Sequence, residues 1–213
     1  MAYTYATAMN DVLIGGVEKR EIVVEDYDPL WPGQFQKHAG HIAQALGLNA
    51  LSVDHVGSTS VPGLAAKPII DIVVVVENSG DETAYLPALL AAGNVLRVRE
   101  PDWFQHRMLR TPELDVHIHV FSSGCVEVAR MVAFRNHLRS NAGDRLRYEA
   151  LKRNLVNKEW PDMNDYSLAK TAMVEQITAS ALQNAADAAI LCSRTAPRDV
   201  AAIERPPDPD CCS

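Results

Sequence analysis

The sequence contains no hydrophobic run long enough to cross a membrane as a helix. Its longest apolar stretch, residues 69–76, is interrupted by Asp71. It is far shorter than the roughly 18–20 residues that a spanning helix needs. The N-terminal residues also lack the basic segment followed by an apolar segment that marks a secretory signal. We therefore expect a protein with no membrane partner.

Cysteine is scarce, and the spacing of the cysteines excludes a common class of metal site. Of the four cysteines, Cys211 and Cys212 are neighbours near the C-terminus, whereas Cys125 and Cys192 lie far apart. None of them has the CxxC or Cys/His spacing of a zinc site. This pattern favours a reduced, cytoplasmic protein.

Positive charge is in deficit, with 20 Lys and Arg against 27 Asp and Glu and a formal net charge of −7. A protein whose main partner is a nucleic-acid backbone needs a basic surface, so we expect no nucleic-acid partner. The deficit leaves open a local basic pocket for a small anion. The length of 213 residues suits one domain, and we expect a monomer or a weak homodimer.

The two ends of the chain differ in composition from its middle. Residues 189–213 are rich in proline and have little periodicity, which predicts a disordered tail. Residues 1–17 are expected to be loosely ordered, and residues 18–188 to form a single domain.

The middle of the chain alternates between helical and strand patterns, which predicts an α+β fold of about five strands flanked by helices, with a helical C-terminal part. The strand of residues 69–76 is β-branched and apolar on both faces, so we expect it to be central. The predicted strands are 21–25, 53–56, 69–76, 95–99, 103–110 and 114–121. The predicted helices are 34–46, 82–92, 127–140, 144–158 and 165–184.

A Gly-Ser turn and a carboxylate in an apolar strand form the first candidate site. Gly57 follows a predicted strand and begins the run Gly57, Ser58, Thr59 and Ser60, whose hydroxyls and backbone N–H groups can hold phosphate oxygens. Asp71 interrupts the next strand, where a lone buried carboxylate is costly unless a cation meets it. Lys67 or a bound metal ion are the candidate cations. A solvated turn with an ion-paired core carboxylate explains the same residues.

The second candidate site is the strand of residues 114–121. Strand alternation places Asp115, His117 and His119 on one face, where they can bind a metal ion or transfer protons. A polar face exposed to water is the alternative. Arg107 lies on another predicted strand of the same sheet, as a candidate anion ligand or a plain surface residue.

Cations on the C-terminal helices form the third candidate site. Arg135 and Lys170 fall on or beside the apolar stripes of their helices, and Lys152 accompanies a third stripe. An arginine on a packed stripe usually meets a carboxylate or a ligand anion. Together these side chains predict a phosphate-handling pocket, although a solvated helix face also explains Lys152.

Several segments resemble a known family in the expected order. They are DYDPLWPGQF, HVGSTSVPGLAAKPIIDI, VHIHVF, FRNHLR, YEALK and residues 166–170. From about residue 21 to about residue 177, the sequence resembles the GrpB-like family of the nucleotidyltransferase superfamily. This resemblance implies a nucleotidyltransferase-like mixed sheet flanked by helices, with the active centre between the sheet and a helical part.

The resemblance also implies a chemistry, from which this sequence departs. In the superfamily a Gly-Ser turn helps to seat a triphosphate, and carboxylates hold two divalent metal ions for attack on the α-phosphate. Gly57-Ser58 matches the turn and Asp71 the first carboxylate, which implies Mg²⁺ or Mn²⁺ held by Asp71 and His119. Val73 stands where the second carboxylate belongs. The third carboxylate of the superfamily pattern is either Asp115, or it is replaced in this sequence by His117 and His119.

Three functions remain open at this point. The first is a nucleotidyltransferase-like enzyme acting on a nucleotide or other phosphorylated small molecule, with Asp71, His117 and His119 as catalytic residues. In it, phosphates would contact Gly57, Ser58, Thr59, Ser60, Lys67, Arg107, Arg135, Lys152 and Lys170. The second is a non-catalytic module that binds a nucleotide or a coenzyme A-like anion, since related domains are fused to dephospho-coenzyme A kinase in some bacteria. The third is an interaction domain with a vestigial pocket.

Overall fold

The computed structural model describes residues 12–16, 21–160 and 163–195. Its helices are α1 (Trp31–Leu46), α2 (Leu86–Ala91), α3 (Val126–Ser140), α4 (Ala142–Val156) and α5 (Met163–Thr195). Its strands are β1 (Ser52–Val56), β2 (Ile70–Val76), β3 (Val95–Glu100), β4 (His106–Arg110) and β5 (Val116–Ser122). The predicted α+β class is confirmed.

The five strands form one mixed sheet in the order β1-β2-β5-β4-β3. Strand β2 runs parallel to β5, and the other neighbours are antiparallel. The strand expected to be central forms as Ile70–Val76 and has a partner on each side, but β5 holds the middle position of the sheet. The β-branched residues of β2 suit an internal position because both faces of the strand are covered.

Helices α1 and α2 cover one face of the sheet, which we call the α1 face. Its core is a single apolar cluster in which alternate residues of β2 and β5 meet the helices. The buried members include Trp31, Ile42, Ile72, Leu89 and Ile118. Among the described residues, this cluster has more buried members than either cluster on the opposite side.

Helices α3, α4 and α5 cover the opposite face, which we call the cavity face. Val56, Val73 and Phe121 pack there against the start of α3. A second cluster joins the three helices to the segment that follows β1, with Leu64, Leu138, Tyr148 and Ile177 among its members. The packing leaves a cavity between the sheet and the helices.

Three predicted elements differ in the structure. Residues 21–25 do not form a strand. Within this segment Glu25 makes a single isolated bridge, to residue 66, and no continuous ladder of backbone hydrogen bonds is described. The strand predicted for residues 103–110 begins only at His106, because Phe104 and Gln105 have positive φ angles of 53° and 52°. The helix predicted for residues 82–92 is divided into a 3₁₀ turn at Glu82–Ala84 and helix α2, since Pro87 is tolerated only in a first turn.

The C-terminal boundary also differs from the expected one. Helix α5 extends to Thr195, so the expected tail of residues 189–213 begins inside a helix. The rest of that tail, residues 196–213, lies outside the described residues, as do residues 1–11 and 17 of the expected N-terminal segment and residues 18–20 of the expected domain. Among the helices that the structure describes, none is both long and apolar enough to span a membrane.

Candidate functional site

Asp71, His117 and His119 meet on the cavity face because of the register between β2 and β5. In this parallel pair, Asp71 lies beside His117, and Val73 lies beside His119. Side chains alternate between the two faces of a strand, so all four residues point to the same side. The sequence predicted that the two histidines share a face, and the pairing of the strands adds the carboxylate.

The three polar side chains converge without forming close hydrogen bonds to one another. Asp71 Oδ1 is 3.4 Å from His117 Nδ1 and 3.8 Å from His119 Nε2. One ligand atom from each residue lies within 4.8 Å of the other two. These separations exceed ordinary hydrogen-bond lengths and match ligand atoms arranged around a shared ion.

The two imidazoles also control the ionisation of Asp71. Burial raises the pKa of this carboxyl, but the interactions with His117 and His119 outweigh that effect and hold the pKa well below its usual range. Asp71 is therefore an ionised carboxylate, as a metal ligand must be.

Gly57 permits the close approach of the preceding turn to Asp71. It has a φ of 68°, and a Cβ atom at this position would overlap Asp71 Oδ2 and lie 3.0 Å from Asp71 Cβ. Glycine is required both by the left-handed backbone and by the lack of space. The conformation of this turn thus places Asp71 Oδ2 against the backbone and leaves Oδ1 facing the histidines.

The hydroxyls of the turn have separate partners. The Thr59 hydroxyl donates to the Ile69 carbonyl at 3.0 Å and lies 3.1 Å from His55 Nε2. The Ser60 hydroxyl donates to the Gly57 carbonyl. Ser58 is hydrogen-bonded to the Tyr148 side chain. Ser58 and Thr59 line the cavity, whereas Ser60 and Gly57 lie behind it and shape the turn.

The cavity has a volume of about 160 Å³ and extends from Asp71 and His117 to the lysines. Among the anion-binding candidates, Lys67, Lys152 and Lys170 all contribute to its wall. The lining residues are Ser58, Thr59, Lys67, Ile69, Asp71, His117, Lys152, Tyr166, Ser167 and Lys170.

Lys152 and Lys170 are held in surroundings that disfavour their positive charge. Burial, followed by repulsion from Lys170, lowers the pKa of Lys152 to about 7. Burial lowers the pKa of Lys170 to about 8, against the attraction of Asp71. The Lys152 ammonium group donates to the Ala65 carbonyl and lies 4.8 Å from the centre of the Tyr148 ring, while Lys170 lies 4.2 Å from that of Tyr166. An anion in the cavity would relieve both costs.

Two of the expected anion ligands, Arg107 and Arg135, are not at the cavity. Arg107 pairs with Val120 in the sheet and therefore points to the α1 face, where it binds Glu82 at 2.5 Å. Arg135 donates to the His55 carbonyl at 2.8 Å and contacts Asp54 at 3.3 Å. Both guanidinium groups have partners within the protein and neither lines the cavity, which differs from the expectation from the sequence.

Asp115 and Val73 complete the comparison with the expected carboxylates. Asp115 lies just before β5, is exposed, and accepts a hydrogen bond from the Thr111 hydroxyl at 2.6 Å, so it does not join the cluster. Val73 is fully buried in apolar contacts. The described residues therefore provide a single carboxylate and two imidazoles here, instead of the paired carboxylates that hold two Mg²⁺ ions.

Sequence reasoning missed His106 and Glu100. His106 Nε2 lies 3.0 Å from His119 Nδ1, and His106 Nδ1 lies 2.6 Å from Glu100 Oε2. Burial lowers the pKa of His106 to about 4, although Glu100 opposes this effect. The pairing of β3 with β4 brings the two residues together, and no short-range sequence pattern indicates it.

The family assignment follows from the sequence profile described as "GrpB protein", which matches residues 21–180. The chain belongs to the GrpB protein family. The matched region includes every strand of the sheet and all ten residues that line the cavity.

Two relatives and one solved structure match over most of their own length. A UPF0157 protein of Streptomyces coelicolor is 51% identical over 169 residues, which are 79% of this chain and 89% of the relative. A UPF0157 protein of Halalkalibacterium halodurans is 47% identical over 171 residues, or 79% and 88% of the two chains. The crystal structure of the conserved protein GrpB from Enterococcus faecalis is 34% identical, covers 76% of this chain and 98% of its own, and has a TM-score of 0.69.

Proposed function

We propose that this GrpB-family chain is an enzyme that binds a phosphorylated small molecule, such as a nucleotide, in the cavity beside a divalent metal ion. The observation that carries the proposal is that Asp71 and His117, which converge with His119, line one cavity together with the buried Lys152 and the partly buried Lys170. A cation site next to cationic side chains is typical of enzymes that act on phosphoryl groups, because both neutralise the charge of the phosphate.

The donor set favours a transition metal over Mg²⁺. One carboxylate and two imidazoles suit Mn²⁺, Fe²⁺, Co²⁺ or Zn²⁺, whereas Mg²⁺ prefers oxygen ligands. Of the two ions that the resemblance implies, Mn²⁺ is the better fit. The side chains of these ligands are between 19% and 30% exposed, so an ion can reach them from solvent. When bound, the metal would polarise a phosphoryl oxygen.

The lysines supply the positive charge that would bind the phosphate group of a ligand. Lys152 has a pKa of about 7 in the free protein, so its charged form is readily stabilised by an entering phosphate. Lys170 and Lys67 add charge on the same wall, and Ser58 and Tyr166 add polar groups that can orient the ligand. The positions of these groups concentrate positive charge inside an otherwise acidic protein.

The size of the cavity limits what it encloses. Sites that bury a drug-sized ligand have volumes of roughly 300–1,000 Å³, whereas this cavity has about 160 Å³. It accommodates a phosphoryl group and its immediate neighbours. The remainder of a nucleotide would extend towards the opening of the cavity.

A thermal-shift experiment tests the proposal. The wild-type protein is titrated with inorganic phosphate, nucleoside triphosphates and coenzyme A, each with and without Mn²⁺ or Mg²⁺. A ligand at 100 times its dissociation constant stabilises the folded state by about 2.7 kcal/mol. We expect a metal-dependent rise in melting temperature that is absent in Asp71→Asn, and phosphorus NMR then detects turnover of the ligand that binds.

Asp115→Asn is the matched control, because it removes a nearby carboxylate that lies outside the cluster. It should retain the wild-type response. Circular dichroism of Asp71→Asn separates loss of binding from loss of folding. The proposal is rejected if no phosphorylated ligand or metal shifts the wild-type protein.

A non-catalytic anion-binding module is the second candidate, and Val73 at the position of the second carboxylate favours it. This reading predicts a ligand shift that needs no metal, survives in Asp71→Asn and disappears in Lys152→Met. The same titrations therefore distinguish the two functions.

A further inference from the structure

A chain of hydrogen-bonding groups leads away from the metal-ligating cluster into the sheet. It runs from Glu100 at the end of β3, through His106 on β4, to His119 on β5. Only 5% of His106 is exposed, so this residue lies behind the cluster, away from the cavity opening. Nothing in the proposed chemistry yet uses it.

The direction of the hydrogen bonds follows from the chemistry of the end group. An ionised carboxylate only accepts hydrogen bonds, so the 2.6 Å contact with Glu100 requires the hydrogen on His106 Nδ1. In a neutral imidazole the other nitrogen is then an acceptor. The 3.0 Å contact between His106 Nε2 and His119 Nδ1 therefore requires the hydrogen on His119 Nδ1.

This arrangement determines which nitrogen of His119 faces the cluster as a ligand. With its hydrogen on Nδ1, neutral His119 directs the lone pair of Nε2 into the cluster, so in the metal-free protein His117 is the imidazole that can donate to the Asp71 carboxylate. The 3.8 Å separation between Nε2 and Asp71 Oδ1 is too long for a hydrogen bond but fits two atoms that bind one ion. The hydrogen-bond chain and the spacing of the cluster thus agree.

Aromatic contacts hold His106 in place. The Phe121 ring lies parallel to it with centroids 4.7 Å apart, and Trp103 meets it edge-on at 5.2 Å. The backbone N–H of His106 also donates to the Trp103 carbonyl at 3.0 Å, which closes the turn between β3 and β4. The ring planes of His106 and His119 differ by 17°. The lone pair on His106 Nε2 and the N–H bond at His119 Nδ1, which both lie in the ring planes, can therefore point at each other.

We propose that His106, oriented by Glu100, is a positioning residue that holds His119 with its Nε2 lone pair directed at the metal site. The metal part of this inference rests on the proposed function. The tautomer of His119 does not, because it follows from contacts within the protein alone.

The first test needs no metal. Nitrogen-15 NMR of the full-length, metal-free protein at a pH near 8 reports which imidazole nitrogen of His119 carries the hydrogen. We expect Nδ1–H in the wild type and loss of this preference in His106→Phe, which keeps an aromatic ring but removes the acceptor. Nε2–H on His119 in the wild type would overturn the inference whether or not the protein binds metal.

The second test measures Mn²⁺ and Co²⁺ dissociation constants by calorimetry. Loss of a group that orients a metal-binding histidine weakens affinity by about 10–100-fold, and we expect this for His106→Phe. His106→Gln should recover part of the affinity, because its amide oxygen can accept from His119 Nδ1. Glu100→Ala should weaken binding in the same direction, and it replaces His106→Phe if the latter does not fold.

His137→Phe is the matched control. His137 is a buried imidazole that contacts a carboxylate, Asp144, at 2.7 Å, but it lies on α3 away from the cluster. Its replacement should leave metal affinity unchanged. If the wild type binds no metal, the proposed metal site fails, and the NMR result still decides the positioning role. If His106→Phe and Glu100→Ala bind metal as tightly as the wild type, the positioning role is wrong and the metal site stands.

Discussion

The cations on the two faces of the sheet have different kinds of partner. On the α1 face, Arg107 and Arg99 both donate to Glu82, at 2.5 and 2.6 Å. On the cavity face, Lys152 and Lys170 lie over tyrosine rings and have lowered pKa values. The arginines therefore meet a carboxylate of the protein itself, whereas under the proposed function the lysines meet the anion of a ligand.

Glu82 shows how completely the α1 face compensates its charges. The hydrogen bond from Arg99 is the largest cause that lowers the pKa of Glu82, to about 2, and Arg107 adds to it despite the opposing effect of burial. Arg107 lies in the interior, whereas Glu82 and Arg99 reach the surface. Each of the two arginines therefore has the Glu82 carboxylate beside it, without any ligand.

The first and largest predicted effect concerns the close approach on the cavity face. In Gly57→Ala, a left-handed alanine costs about 1–2 kcal/mol, and its Cβ also displaces Asp71. We expect a loss of stability on the order of 3 kcal/mol together with loss of Mn²⁺ binding, measured by denaturant unfolding and calorimetry.

Gly63→Ala is the control for that substitution. Gly63 has a similar φ of 75°, but a Cβ there meets nothing within 4 Å. It should show the backbone cost alone and keep metal affinity. Equal metal binding by Gly57→Ala and the wild type would contradict the role given to the turn.

The second prediction concerns the α1 face. Glu82→Gln removes the charge that Arg107 meets in the interior, and the loss of charged hydrogen bonds should lower the free energy of unfolding by about 2 kcal/mol. Ligand and metal affinity should not change, because Asp71, His117 and His119 lie on the other side of the sheet. Altered affinity in a folded Glu82→Gln protein would show that the two faces are not independent.

The third and smallest predicted effect is an increase in stability caused by a substitution on the cavity face. Lys152→Met should raise the free energy of unfolding at pH 7 by about 1–2 kcal/mol, because it removes a charge that burial disfavours. The same variant should lose phosphate binding. A decrease in stability comparable to that of Glu82→Gln would show that Lys152 is compensated like Arg107.

The pH dependence of Lys152→Met follows from the lowered pKa. Between about pH 7 and the ordinary lysine pKa of 10.5, the unfolded chain holds a proton on Lys152 that the folded protein does not. Stability of the wild type therefore rises with pH in this window relative to Lys152→Met. The advantage of the variant should shrink towards pH 10, and urea unfolding of both proteins from pH 7 to pH 10 measures it.

Local patterns were sufficient for much of the fold and for part of the site. The β-branched run around Ile72 specified an internal strand, and alternation correctly placed His117 and His119 on one face. This reasoning fails at the element boundaries set by Pro87, Phe104 and Gln105. Those boundaries depend on backbone geometry, which a pattern of apolar residues does not indicate.

The two arginines and His106 mark the limit of local reasoning at the site. Alternation determines which residues of one strand share a face, but only strand pairing decides which face that is. From the sequence, Arg107 was a candidate for the cavity. Its pairing with Val120 shows that it lies on the α1 face instead. His106 likewise acquires its partners, Glu100 and His119, from two different neighbouring strands.

The sequence by itself determined the α+β class, the internal strand that carries Asp71, and the residue types available for a metal and an anion. These depend on periodicity and composition, which are local properties. The tertiary structure decided that Asp71, His117 and His119 converge, that three lysines line the cavity, and that Arg107 and Arg135 meet partners elsewhere in the protein. Such outcomes depend on register and on helix packing, because both bring together groups that lie far apart along the chain.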